Sequence, residues 1–325
     1  VSRPAQTPAL GAPQAHVELI LDAPTPRGRW SYRVVNLDDI PVRIIADARV
    51  LTFDITPLGA RHAQHCALPL DMRPADDMER AIVLPPHRTY SETFDARLFC
   101  FSGAALDALA ADSIVIAHLG WRSKSANGPR VLSPLDGITP EVTSRGQLDA
   151  PPVSLPDEVV SEEAVVSPPK DAATDDPRLA LQAPETVEAA SPDDIVIPLT
   201  LRNEGSRRRN VRFRPDVLGF DVSGSSGTAQ CQWPTSPAAP TRELFTTVSR
   251  GHPAYLEVLL GAYCTGHELD QPGVLVVWPW LDTRSADTPD LGFPTFGGAV
   301  AASRGTYVRL HRGRSRPPAM GPNRQ

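Results

Sequence analysis

Histidine, cysteine, arginine and a few aromatic residues are the places where this chain could do chemistry. His62, His65 and Cys66 are spaced closely enough to close around a metal ion, because imidazole nitrogen and thiolate are the ligands zinc prefers. The corresponding stretch before Cys231 is Ala229-Gln230, without a histidine, and Cys-x-x-Cys occurs nowhere. A solvated loop is the simpler reading, so no metal and no other cofactor is expected. His87 with Tyr90, and His252 with Tyr255, repeat a His-x-x-Tyr pattern that could offer an imidazole and a phenol to one ligand. Residues i and i+3 of a strand face opposite ways, so the pair meets only if the histidine lies in a turn. The favoured alternative is structural, with the tyrosine ring buried at a sandwich corner.

Residues 202–214 hold the densest positive charge, with Arg207, Arg208, Arg209 and Arg212 at its centre; Arg304, Arg309, Arg312, Arg314 and Arg316 add a basic C-terminal region. Such a cluster could bind an acidic polysaccharide, a phosphorylated surface or an acidic segment of the chain itself. Aromatics are not interleaved with it, as stacking on nucleic acid would require. Its structural reading is a solvated hairpin turn whose charges keep sheet edges apart. Trp278-Pro-Trp280 resembles the aromatic platforms that stack on sugars, but alignment with Trp121 assigns it to a core or sheet-end position. Gly-x-Ser-x-Gly and Gly-Lys-Ser/Thr are both missing, which removes the usual nucleophile elbow and phosphate cradle. The adjacent pairs Asp38-Asp39, Asp76-Asp77 and Asp193-Asp194 read as turn residues, and no catalytic activity is expected.

At 325 residues, with 41% hydrophobic and 22% charged side chains, the chain has room for about two ordinary domains. Its 35 prolines against 22 glycines argue for many turns and an extended segment rather than a helical protein. A net charge of -6 supplies no general attraction to nucleic acid or an anionic membrane. No window approaches the roughly 18 consecutive apolar residues of a membrane helix. The opening Val1-Ser-Arg-Pro-Ala-Gln-Thr-Pro fits a mature terminus left after signal-peptide removal.

An internal match organises these elements. Asn36 and Phe53 correspond to Asn203 and Phe220 at an offset of 167 residues; Cys66 corresponds to Cys231 at 165, His87 and Tyr90 to His252 and Tyr255 at 165, and Cys100 to Cys264 at 164. Ordered matches of this kind indicate a duplicated module. Period-two apolar patterns and short buried runs predict strands over 16–21, 30–36, 42–46, 50–55, 80–84, 97–101 and 113–121 in the first copy. In the second they fall over 178–182, 194–202, 210–214, 217–222, 243–248, 254–264, 273–281 and 306–311. Only 103–111 favours a short helix.

Residues 149–176 carry eight acidic residues and one lysine among several prolines, a composition that disfavours a packed core. The expected organisation is a disordered segment 1–14, a first domain 15–147, an acidic Pro-rich flexible linker 148–177, a second domain 178–312 and a disordered basic tail 313–325. The fold class expected is all-β, as two tandem immunoglobulin-like antiparallel β-sandwiches.

Tyr32-Arg-Val-Val-Asn36 followed by Pro41-Val-Arg-Ile-Ile45 resembles the strand, Asn-containing turn and strand that open many bacterial immunoglobulin-like domains. Leu84-Pro-Pro-His-Arg-Thr-Tyr90 is similar to the turn before a late strand in those domains and in the bacterial intracellular proteinase inhibitors. Those families place glycine where this chain has His87 and His252. The resemblance spans about sixty residues of each copy and implies partner binding without catalysis; no functional residue carries over from it.

Four cysteines permit three pairings, and the repeat selects Cys66 with Cys100 and Cys231 with Cys264. Such bonds persist in an oxidising compartment. The expectation is therefore a secreted or periplasmic, non-catalytic binding or adhesion-type protein recognising a protein or glycan. A structural or accessory subunit of a cell-envelope assembly is the alternative, and a metal-dependent enzyme built on His62, His65 and Cys66 a remoter one.

Overall fold

The computed structural model describes residues 16–45, 47–74, 81–101, 103–120, 132–133, 147–157, 176, 178–225, 227–235, 241–284 and 291–314. It divides into two compact units, Val1–Val159 and Val160–Gln325. Both are all-β and sandwich-like among the described residues, and α-helix is confined to one turn, Ala104–Asp107.

The first unit contains β1 (Val17–Asp22), β2 (Arg29–Asn36), β3 (Val42–Ile45), β4 (Leu51–Thr56), β5 (Gln64–Ala67), β6 (Ala81–Leu84) and β7 (Thr89–Asp95). β8 (Ile114–Gly120), β9 (Leu132–Ser133), β10 (Gln147–Asp149) and β11 (Val153–Ser154) follow. β1-β2-β7 form one sheet and β10-β8-β4-β5 another, to which β11 adds by pairing with β8; β6-β3-β9 is a small third. Alternation directs Trp30, Tyr32 and Val34 of β2 and Phe53 and Ile55 of β4 inward, where all are buried, because successive strand side chains point to opposite faces. Trp30, Phe53, Phe94 and Phe99 interlock there, edge-on or stacked, at centroid separations of 5.2 to 6.2 Å. Each such buried ring contributes about 2 kcal/mol or more through area removed from water.

The second unit contains β12 (Leu179–Gln182), β13 (Thr186–Ala189), β14 (Val196–Asn203), β15 (Arg209–Val211), β16 (Leu218–Gly224) and β17 (Gly227–Gln232). β18 (Thr246–Val248), β19 (Ala254–Leu259), β20 (Gly273–Asp282), β21 (Ala299–Ala301) and β22 (Thr306–Leu310) complete it. Its sheets are β12-β14-β19 and β13-β22-β20-β16-β17, with β21 on β20 and a separate β15-β18 pair. β13 runs parallel to β22, whereas the other ladders between named strands are antiparallel. Leu199, Leu201, Phe220, Val222, Leu260, Val277 and Val308 meet between the sheets.

Disulfides join Cys66 to Cys100 and Cys231 to Cys264. In both units the first half-cystine sits on an edge strand directly opposite a core phenylalanine, Cys66 facing Phe53 and Cys231 facing Phe220. The buried asparagines ending β2 and β14 also act alike. Asn36 Nδ2 donates to the carbonyls of Ile40, Leu84 and Pro85 and its Oδ1 accepts from Asp38 N; Asn203 Nδ2 donates to Arg207 and Val248 carbonyls and its Oδ1 accepts from Gly205 N. One amide thereby satisfies loop backbone that burial would otherwise leave unpaired.

Several sequence expectations are corrected. Residues 97–101 are no strand: β7 precedes them, and Asp95 accepts from Arg97 N to start the 3-10 turn Ala96–Leu98. The Phe99 and Cys100 N–H groups both donate back to the Ala96 carbonyl, the local bonding of a helical turn rather than of a strand ladder. In 254–264 the strand likewise ends at Leu259 and a 3-10 turn takes over, and in 243–248 only Thr246–Val248 is strand. The first part of the expected linker belongs to the first unit, since β10 and β11 pair with β8 and Ala150 and Leu155 are buried; its acidic composition does not describe these apolar residues. The second unit runs past 312, because Arg314 donates to the carbonyls of Cys264 and Gly266. Segment 1–14, the linker residues 158–175 and 177, the tail beyond 314 and Trp121 lie outside the described residues.

Candidate functional site

The expected site residues do not come together. His87 occupies the turn before β7 with φ 56° and places Nε2 2.8 Å from Asp39 Oδ1. In the second unit the positive φ falls on Gly251 instead, one residue before His252. Strand register carries the same displacement: Tyr90 pairs with Val34, two residues before Asn36, while Ala254 pairs with Leu201, two before Asn203. Tyr90 and Tyr255 are thus one position apart, and one position in a strand reverses the face. Tyr255 stands 73% exposed, whereas the half-buried Tyr90 hydroxyl donates to Glu92 Oε2 at 3.0 Å. The repeated His-x-x-Tyr therefore does not place its tyrosines at equivalent strand positions.

Glu92 organises a polar knot that, among the described residues, belongs to the first unit. Its Oε2 accepts from Tyr32 OH, Tyr90 OH and Ala48 N at 2.9 to 3.0 Å. Burial, reinforced by the Glu92 charge, pushes the Tyr90 phenol up to about 12 and Tyr32 higher still. The residues matching Tyr32, Ala48, Tyr90 and Glu92 are Leu199, Pro215, Ala254 and Leu256. Proline has no N–H to satisfy, so an apolar residue can replace the carboxylate.

The basic cluster is partly used up inside the protein. Arg207 and Arg208 are exposed, but Arg209 pairs with Asp176 at 2.9 Å. Arg212 is 1% exposed and bound to Asp216, so it cannot meet an external anion. Arg309 is also buried, donating to Glu188. The His62, His65 and Cys66 trio fails to converge, because Cys66 is in its disulfide facing the core while the next residue, His65, faces outward to Asp54.

The outward faces of the two larger sheets hold the clusters that sequence reasoning missed. On the first, a row crosses four strands: His65 Nδ1 lies 2.7 Å from Asp54 Oδ1, His118 Nε2 3.2 Å from Asp54 Oδ2, and His118 Nδ1 2.7 Å from Asp149 Oδ1. Ionised carboxylates only accept, so both His118 nitrogens donate when the ring is an imidazolium. Burial alone would raise the Asp54 carboxyl, but the hydrogen bonds and charge of His65 and His118 outweigh it and hold it below the usual range. The row presents a continuous hydrogen-bonded polar surface across the sheet.

The matching positions of the second sheet carry different chemistry. Asp54 pairs with His65 and Asp221 with Gln230; Thr52 pairs with His118 and Gly219 with Trp280. His118, rather than Trp121, is therefore the counterpart of Trp280. Leu275, Val277 and Leu281 of β20 are buried, which turns the alternating Trp278 and Trp280 outward, half-buried on the sheet face. Of the two expected positions, core or sheet end, the core one is corrected: both tryptophans lie on the outer face toward the end of β20. Burial raises the Asp221 carboxyl above its usual range, with the Gln230 amide and Trp280 indole opposing the rise. The strand alternation of 273–281 was readable; the glycines facing the indoles depend on sheet pairing.

No family model matches the chain, and no curated protein does. Among solved structures, a crystal structure of red sea bream transglutaminase aligns with 92% of this chain at 11% identity and a TM-score of 0.22. The chain spans about a third of that protein's length, 32%.

Proposed function

We propose that the chain is an exported, non-catalytic binding protein of adhesion type, made of two duplicated, disulfide-bonded immunoglobulin-like modules. The observation carrying this reading is the pair of matching sheet faces: one framework of cystine, asparagine and strand register supports an ionic row in one unit and an aromatic row in the other. Core framework kept and outer face changed is the pattern of modules that differ in what they bind. Two facing sets of strands in each unit, β1-β2-β7 with β10-β8-β4-β5 and β12-β14-β19 with β13-β22-β20-β16-β17, support the immunoglobulin-like reading, to which β13 adds a parallel edge. Two disulfides with no free cysteine favour the periplasm or cell exterior.

Thiol titration of the protein isolated from its own cells, denatured with and without reductant, tests export: four free thiols before reduction would overturn it. Capture from cell-envelope fractions tests binding. Retention of a specific component that is lost on His118→Ala or Trp280→Ala supports the reading, whereas no retained component speaks against it.

A further inference from the structure

We propose that the outward face of the β13-β22-β20-β16-β17 sheet binds a neutral glycan chain, with sugar rings stacked on Trp278 and Trp280. The proposal rests on the binding-module reading and names the ligand class of one of its faces.

Trp278 and Trp280 are two residues apart on one strand, which separates them by about 6.8 Å along β20, on the scale of one sugar ring. Both indoles lie down on the sheet. A Cβ on Gly219, across from Trp280, would overlap Cζ2 of that indole, and one on Gly305 would come 2.9 Å from Cε2 of Trp278. Covering bare glycine backbone stabilises a sheet and accounts for the inner face of each ring. Each indole is half-buried with its Nε1 covered, so only part of each ring, on the π-face away from the sheet, stays accessible. That face is electron-rich and attracts the weakly positive C–H groups of a pyranose.

The surroundings select a sugar over other flat ligands. Asp221 pairs across from Trp278, Gln230 from Asp221, and Gln232 from Gly219, so the exposed Gln230 and Gln232 amides border the aromatic strip and can bond hydroxyls. Asp282 and Glu188 add negative charge to the same face, and Arg284 and Arg309 pair with them. A nucleic acid would bring phosphates against Asp221, while Arg284 and Arg309 are already engaged by Asp282 and Glu188. A purely apolar partner would bury the Gln230 and Gln232 amides without replacing their lost hydration. A hydroxyl-rich, uncharged chain satisfies both the rings and the polar border.

Depletion of the full chain from solution by chitin and cellulose particles, with soluble oligosaccharides of each titrated against tryptophan fluorescence, tests the assignment. Binding to at least one polymer is expected, weakened about tenfold or more by Trp278→Ala or Trp280→Ala, the loss of one stacking platform. Trp280→Phe should keep most of the affinity. Gln230→Ala and Gln232→Ala, on exposed edge-strand positions, should weaken binding severalfold and serve if a tryptophan variant does not fold. Equal depletion of the wild type and all these variants would overturn the proposal. Absence of glycan binding alongside capture of an envelope component would also overturn it while leaving the binding-module reading intact; absence of both would end both.

Discussion

Asp54 and Asp221 stand at matching points of their two sheets, each facing a residue just before the first half-cystine, His65 or Gln230, and their carboxyls shift in opposite directions. Imidazoles beside Asp54 favour its charge. Amide and indole beside Asp221 do not offset burial.

For Asp54 the folded value lies below the ordinary one, so its stabilisation is complete above about pH 4 and disappears as pH falls through the folded value. Asp54→Asn is expected to cost roughly 1 kcal/mol at pH 5 to 6, since the group is partly exposed. Urea melts of both proteins should converge in stronger acid; a constant difference would show that the charge plays no part.

Asp221 has the opposite sign. The folded state holds its proton more tightly, so stability declines as pH rises from about 4 through the raised folded value. Asp221→Asn should therefore stabilise the second unit at neutral pH by about 1 kcal/mol. Its midpoint advantage should shrink toward pH 3, and calorimetry across that range checks it.

Replacing Glu92 by leucine, the residue the second unit has, strands the Ala48 N–H and two tyrosine hydroxyls. A loss of about 2 to 3 kcal/mol is expected. Adding Ala48→Pro removes one orphaned donor, and the double variant should recover part of that loss in chemical denaturation. Strict additivity would refute the coupling.

Removing a cystine, as Cys66→Ala with Cys100→Ala or Cys231→Ala with Cys264→Ala, opens a loop of 34 or 33 residues. The chain-entropy contribution of each is about 3.8 kcal/mol. Denaturant midpoints should fall accordingly, and reductant should then no longer change the transition assigned to the altered unit.

Asn36→Ala and Asn203→Ala should each cost about 2 kcal/mol or more by leaving buried loop carbonyls unpaired. Similar losses at the two sites would show that both asparagines hold the same corner.

Local residue patterns were enough to determine the all-β class, most inner strands, the cystine pairs and the correspondence of Asn36 with Asn203, because alternation and ordered repetition are properties of short stretches. They missed β5 and β17, whose polar residues Gln64, His65, Gln230 and Gln232 look like loop until pairing opposite Phe53 and Phe220 draws them in. They also equated Tyr90 with Tyr255, since linear spacing tolerates a one-residue slip that strand geometry turns into a change of face. Only the tertiary structure gathered His65, Asp54, His118 and Asp149 from four strands, buried Arg212 out of a basic cluster, and laid two indoles over glycines from neighbouring strands. Those groupings depend on which strands hydrogen-bond side by side, a long-range choice made by the core on the opposite face and not written in any outward-facing residue.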